Sequence, residues 1–273
     1  MPFADINGIN LYYEIQGFGD PVVLLHHGFG CTKMWDKLVP RLLEQGYKTI
    51  CYDRRGFGRS ELGESFDDFY VSDDFRAETV RELDALRDWL GLDSFHVIGQ
   101  CEGGVLAVDY AAQYPQNVKN LIISSTMCYS AVHLSDFNAE KFAKPFEELN
   151  PEMQAKLTSW HGERTASFFN QFRLYGGEYG RYFFDIRPVL PLVSCPALVL
   201  YPDRSFLFEV EQGVSFYRGL PKGELAVLPK CGHNTYEEKP DEYATHVINF
   251  LARHRFGEEA GLGKDERPMT CAG

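Results

Sequence analysis

The stretch "HVIGQCEGGVLAV", residues 96–108, decides how this chain is read. An apolar run ends at Ile98. The small and polar residues Gly99, Gln100, Cys101, Glu102 and Gly103 follow, and a helix-patterned stretch then begins. Strand, tight turn and helix are the layout of a G-x-S-x-G turn, which exposes its central side chain at the carboxyl end of a strand. Small residues must flank that side chain because the turn is tight. The serine position here holds Cys101. The helix start offers free N–H groups and the positive end of a dipole, so a thiol there is expected to have a depressed pKa. Glu102 opposes this if its carboxylate turns inward, since a neighbouring like charge disfavours thiolate.

Working outward, "PVVLLHHG" (21–28), "YKTICYD" (47–53) and "VKNLIISST" (118–126) are short apolar runs of the kind buried on both faces of a parallel sheet. "MWDKLVPRLLEQG" (34–46), "FRAETVRELDALRDWLGL" (75–92) and "GGVLAVDYAAQYP" (103–115) have helical spacing between them. "RRGFGRSELGESFDDFYVSDD" (54–74) reads as a polar, glycine-containing loop. Strand and helix alternate from about residue 20 to 126, which predicts an α/β domain with a doubly wound, mainly parallel sheet. The rhythm breaks over 127–191, a helical, aromatic-rich segment expected to be a cap inserted into the core. It resumes over 192–256 with "PALVLYP", "VEQGVSFYRGLP", "GELAVLPKCGH" and a terminal helix, "PDEYATHVINFLARHR". Residues 1–126 and 192–256 thus form the two parts of one core, and the polar tail 257–273 is expected to be disordered.

The formal net charge of −12 argues against nucleic acid or an anionic membrane as partner, since both call for basic patches. A small molecule is the expected partner. The N-terminus lacks the basic start and long apolar core of a signal peptide. The seven cysteines are widely spaced with no C-x-x-C pair, which fits a reduced, cytoplasmic protein. No H-E-x-x-H or Cys/His cluster has ligand spacing, so neither metal nor cofactor is expected.

Two further elements carry chemistry. In "LLHHGFG" a strand ends at His26, and the turn His27-Gly28-Phe29-Gly30 is suited to aim backbone N–H groups at an oxyanion. The expected donors are the N–H groups of Phe29 and Glu102. A dinucleotide-binding loop is rejected because Lys33 stands where the third glycine belongs. In "LPKCGHNTYEEKP", His233 follows a strand and a glycine turn, late in the chain where a general base would come.

With "HHGFG", "DRRGFGRS" (53–60), "GQCEGG" and "GHN" on the page, the chain resembles the α/β-hydrolase fold superfamily, in its branch of small capped hydrolases. The likeness covers about residues 8–254. It implies a nucleophile at Cys101, a base at His233, and an oxyanion hole at Phe29 and Glu102. Cysteine at the elbow is similar to the dienelactone hydrolases and the larger polyhydroxyalkanoate synthases; haloalkane dehalogenases and epoxide hydrolases need aspartate there. The family's acid sits in a G-x-x-D-like loop after the "PALVLYP" strand. That loop here reads "YPDRSFLFEVEQG", with Ser205 at the aligned position. Asp203 is the candidate acid and Glu209 the fallback. The alternative site after the previous strand, "SSTMCYS", offers no carboxylate.

A thiol tolerates a poor or missing acid better than a hydroxyl does. The expected activity is cofactor-independent hydrolysis of a small ester, lactone or thioester through a Cys101 acyl-enzyme. The alternatives are a ligand-binding or sensor protein on the same scaffold, an acyltransferase, and an engineered serine-to-cysteine variant. Phe168, Phe169, Phe172, Tyr175, Tyr179 and Tyr182 are candidates to line a substrate pocket, and Arg164, Arg173 and Arg181 to pair with a carboxylate.

Overall fold

The computed structural model describes residues 2–175 and 183–255. The chain runs β1 (Phe3–Ile6), β2 (Ile9–Gln16), β3 (Asp20–Leu25), α1 (Val39–Glu44), β4 (Tyr47–Tyr52), α2 (Phe66–Tyr70) and α3 (Phe75–Trp89). It continues through β5 (Phe95–Gln100), α4 (Glu102–Gln113), β6 (Val118–Ser124), α5 (Leu134–Lys141), α6 (Pro151–His161) and α7 (Thr165–Tyr175). It closes with β7 (Ala197–Pro202), α8 (Glu211–Gly219), β8 (Gly223–Leu228), α9 (Thr235–Glu238) and α10 (Pro240–Arg253). The tail expected to be disordered lies outside the described residues.

The eight strands form one sheet in the order β1-β2-β4-β3-β5-β6-β7-β8. β1 and β2 are antiparallel additions at one edge, and the strands from β4 to β8 run parallel. The apolar runs serve two faces at once. On β3, Val22 and Leu24 face a core with α1 and α10, while Val23 and Leu25 face one with α3, α4 and α8. β5 to β7 alternate in the same way, which is why the runs read as continuously apolar.

The strand order sets where a site can form. From β3 the chain turns to β4 on one side and returns to β5 on the other. The carboxyl ends of β3 and β5 therefore open a crevice at a topological switch point, and the loops leaving them carry "HHGFG" and Cys101.

The 54–74 segment differs from its reading as a loop. It contains α2, because Phe66 and Tyr70 are buried and stack at 5.5 Å, whereas Asp67 and Asp68 on the same turn are exposed. The turn before it wraps the buried Asp53 carboxylate, which accepts from the N–H groups of Thr32 (2.6 Å) and Arg59 (2.9 Å).

Sheet and α4 meet almost backbone to backbone. A Cβ on Gly103 would lie 2.3 Å from the Leu25 carbonyl oxygen, and one on Gly99 would lie 2.2 Å from that of Gly103. Backbone on both sides cannot yield cheaply, so Gly103→Ala and Gly99→Ala are each expected to cost about 3 kcal/mol or more. Chemical denaturation would read this; an unchanged midpoint in either variant would mean that the helix is not held this tightly.

Candidate active site

Cys101 sits between β5 and α4 with φ 53° and ψ −116°, a strained conformation for a residue with a Cβ. Such strain costs on the order of 1–3 kcal/mol and must be held by its surroundings. Here the Cys101 N–H donates to the Ser124 carbonyl at 2.9 Å, and its own carbonyl accepts from the N–H groups of Gly104 and Val105.

The backbone N–H groups of Glu102 and Gly28 face the thiol. Glu102 is the donor read from the sequence, but Phe29 is not placed in that way. The Phe29 N–H donates to His27 Nδ1 at 3.2 Å, inside a turn closed by Gly30 N–H on the His27 carbonyl. The missed donor, Gly28, has glycine for a visible reason: a Cβ there would lie 3.0 Å from Glu102 Oε2 and 3.1 Å from the Phe172 ring.

The expected depression of the thiol pKa is reversed. Burial, reinforced by the Glu102 carboxylate, pushes the Cys101 thiol up to about 12. The two N–H groups and Arg54 pull the other way and are outweighed. Glu102 does turn inward. Its Oε1 accepts from Arg54 Nη1 at 2.6 Å, in an ion pair whose side chains are 9% and 2% exposed. His26 lies beneath, its Nε2 accepting from the Arg54 N–H at 3.1 Å. His26 and His27 both have pKa values held well below the usual range, chiefly by burial, so they shape the loop as neutral rings.

His233 is buried, and burial lowers its pKa to about 4. Its carbonyl is clamped by Gln100 Nε2 (2.9 Å) and Ser125 Oγ (2.7 Å), so the residue preceding Cys101 also anchors the histidine loop. Its Nδ1 lies 3.1 Å from Ser205 Oγ. The structure therefore does not pair His233 with Asp203. That carboxylate is exposed and accepts from the Cys231 N–H at 3.0 Å, which ties the end of β7 to the loop carrying His233. Glu209 is exposed four residues beyond Ser205. The side chain missed by the sequence reading is Ser205, whose signal was its place in the family's acid position.

Cys101, Gly28, Glu102 and His233 share a cavity of about 550 Å³. Its lining is mainly apolar, with Phe137, Phe142, Phe169, Phe172, Phe206 and Phe208 among the contributors from α5, α7 and the post-β7 loop. Phe172 is among its lining residues. Phe168 is not among the lining residues: it packs against Phe29 (5.0 Å) and Phe57 (5.2 Å). Tyr175 ends α7, and its side chain lies outside the described residues, as do Tyr179, Arg181 and Tyr182. Arg173 is committed to the Phe142 carbonyl, and Arg164 reaches the Gly58 carbonyl at 3.4 Å; neither is among the lining residues. The lysines among the lining residues are Lys141 and Lys144, and the carboxylate is Glu102. No group of three or more His, Cys, Asp or Glu among the described residues is arranged to hold a metal ion. None of their helices is long and apolar enough to cross a membrane.

Residues 20–178 match the family model described as alpha/beta hydrolase fold. The chain is 32% identical to a proline iminopeptidase of Lactobacillus helveticus, over 93% of this chain and 97% of that protein. It is 24% identical to a 2-hydroxy-6-oxo-6-phenylhexa-2,4-dienoate hydrolase of Comamonas testosteroni, over 90% and 93% respectively. Among solved structures, the enol-lactonase of Burkholderia xenovorans LB400 superposes with a TM-score of 0.75 at 19% identity, covering 92% of this chain and all of that one.

Two pH experiments follow. Iodoacetamide labelling of Cys101 should accelerate about tenfold per pH unit through neutrality without levelling off, because thiolate is the reactive form. A plateau near pH 7 would contradict the raised pKa. Separately, burial lowers the pKa of His26, His27, His96, His161 and His233, the last three to about 4. Their stabilising contribution is fully present above the unfolded value of about 6.5 and is lost as pH falls toward 4. Glu82, raised by burial to about 7, and Asp36, Asp53 and Asp109, also raised by burial, act in the opposite sense and offset only part of what the five histidines contribute. The urea midpoint should therefore fall steadily between about pH 6.5 and 4.5. A midpoint that holds or rises over that range would show that the buried histidines do not govern acid unfolding.

Proposed function

The chain belongs to the α/β-hydrolase fold family and is a hydrolase, and on that premise we propose that it cleaves an ester, lactone or thioester carrying an apolar acyl group, through an acyl-enzyme on Cys101. The observation that carries this reading is the elbow itself. A strained thiol faced by two backbone N–H groups lines an apolar cavity together with a neutral imidazole.

In the proposed reaction the carbonyl carbon sits against Cys101 Sγ, with its oxygen toward the N–H groups of Gly28 and Glu102. Attack forms the S–C bond and places negative charge on an oxygen beside those donors, which stabilise it. Collapse breaks the bond to the leaving group, and the thiol's proton ends on that group. Water then attacks the thioester, the C–S bond breaks, and the acid and the thiol are released. His233 handles the protons. With a thiol pKa near 12 and a histidine pKa near 4, no preformed thiolate–imidazolium pair exists, so attack relies on activated acyl groups. The helices between β6 and β7 act as the cap that supplies the apolar acyl pocket.

The cavity chemistry weighs against an aminopeptidase reading. A cationic substrate amine needs a carboxylate, and the one among the described lining residues, Glu102, already has its charge paired with Arg54 through Oε1.

Intact mass of the protein mixed with p-nitrophenyl butyrate tests the proposal. A butyryl adduct is expected on the native chain and absent from Cys101→Ala. Turnover by Cys101→Ala at the native rate would end the covalent reading.

A further inference from the structure

We propose that Ser205 is a positioning residue that holds His233 with its proton on Nε2, and that the Cys101 acyl-enzyme is consequently long-lived because water is poorly activated. The inference rests on the acyl-enzyme reading above.

The tautomer follows from counting lone pairs. Ser205 Oγ lies 3.1 Å from the N–H of Leu207 and 3.1 Å from the N–H of Phe208, and it accepts from both. A hydroxyl oxygen has two acceptor sites and one proton to give. With both sites filled, the contact with His233 Nδ1 at 3.1 Å is made by the Ser205 O–H donating to the ring. Nδ1 is therefore the acceptor, and a neutral imidazole then carries its proton on Nε2. A carboxylate in the same place would do the reverse, accepting from Nδ1–H and leaving the Nε2 lone pair free to take a proton. Among the described residues, no carboxylate is hydrogen-bonded to the ring. Asp203 is turned to the Cys231 N–H, the Phe206 and Phe208 rings cover His233 edge-on, and His27, Cys101, Glu102, Lys141 and Lys144 are the titratable groups that line the cavity with it. The lowered pKa, caused by burial alone, agrees with a ring that nothing helps to become imidazolium.

The two half-reactions feel this unequally. Acylation begins from a thiol, which is far more acidic than water and a strong nucleophile, so it can proceed on an activated ester with little help from a base. Deacylation begins from water and depends on one. In it the water oxygen bonds to the acyl carbon, the C–S bond breaks, one water proton ends on sulfur, and the carboxylic acid leaves. An imidazole locked as an Nε2–H donor cannot start that step without first losing its bond from Ser205. The pairing of cysteine at 101 with serine at 205 thus favours capture of the acyl group over its release.

The test has two independent arms. Long-range ¹⁵N–¹H correlation spectra of the free protein, with the His233 signals identified by their loss in His233→Asn, read the tautomer directly. They do so whether or not any ester reacts. Protonated Nε2 with bare Nδ1 is expected, and protonated Nδ1 would overturn the assignment. The second arm uses p-nitrophenyl butyrate. The native protein should give a p-nitrophenol burst equal to its Cys101 content, followed by a slow phase. Ser205→Asp should speed the slow phase by about 10²-fold, the low end of general-base catalysis, with little change in the burst rate. It should also move the proton to Nδ1. Ser205→Ala, which removes the donor without adding charge, guards against a misfolded aspartate variant. It should give a mixed tautomer and a slow phase at least as fast as the native one. A native reaction without a burst, or a slow phase unchanged in Ser205→Asp or slower in Ser205→Ala, would overturn the proposal. Absence of any adduct would instead strike the acyl-enzyme reading and leave the tautomer result standing.

Discussion

The close approach of Gly103 to the carbonyls of Leu25 and His26 is the contact on which the site depends. It presses the first turn of α4 against the end of β3, and so brings two loops from different strands to one point. Cys101 arrives from β5 and the N–H of Gly28 from β3. Neither would face the other if the helix stood off by the width of a methyl group. The positive φ of Cys101 is sustained by the same packing. Strain at the elbow and glycine at three neighbouring positions are thus one arrangement, with Gly104 fitted against Thr126 in turn.

Desolvation governs the chemistry that this geometry permits. A helix start ordinarily favours an anion, yet Cys101 is held as a thiol because burial and Glu102 outweigh two N–H donors and a guanidinium. The same effect keeps His26, His27 and His233 neutral. The buried Arg54–Glu102 pair lies under the elbow, where each partner's charge answers the other's. The resulting centre is uncharged in its reacting groups and lined by aromatic rings.

The site was partly legible in the chain. Cys101, His233 and the Glu102 N–H stand where the motifs around them place such residues, and all border one cavity. The errors have a common character. Phe29 and Gly28 are adjacent, and a motif fixes the turn without saying which N–H points inward; that depends on His27 Nδ1 capturing the Phe29 N–H. Asp203 has the expected chemistry, but its carboxylate reaches the Cys231 N–H, and the residue two places on meets the ring instead. Phe168 and Phe169 are neighbours on α7 separated by a rotation that decides which lines the cavity, and residue type is blind to it.

By itself the sequence determined the alternation of buried strands and helices, the glycine-flanked turn at Cys101, and the interval between β6 and β7 that the chain fills with helices. These are local or periodic properties, set by apolar spacing and by where a Cβ can be tolerated. The tertiary structure alone decided which backbone donors face the thiol, whether its pKa falls or rises, and what partners His233. Each depends on groups brought together from distant parts of the chain, on how much water they exclude, and on which of several chemically adequate neighbours is within reach of a hydrogen bond.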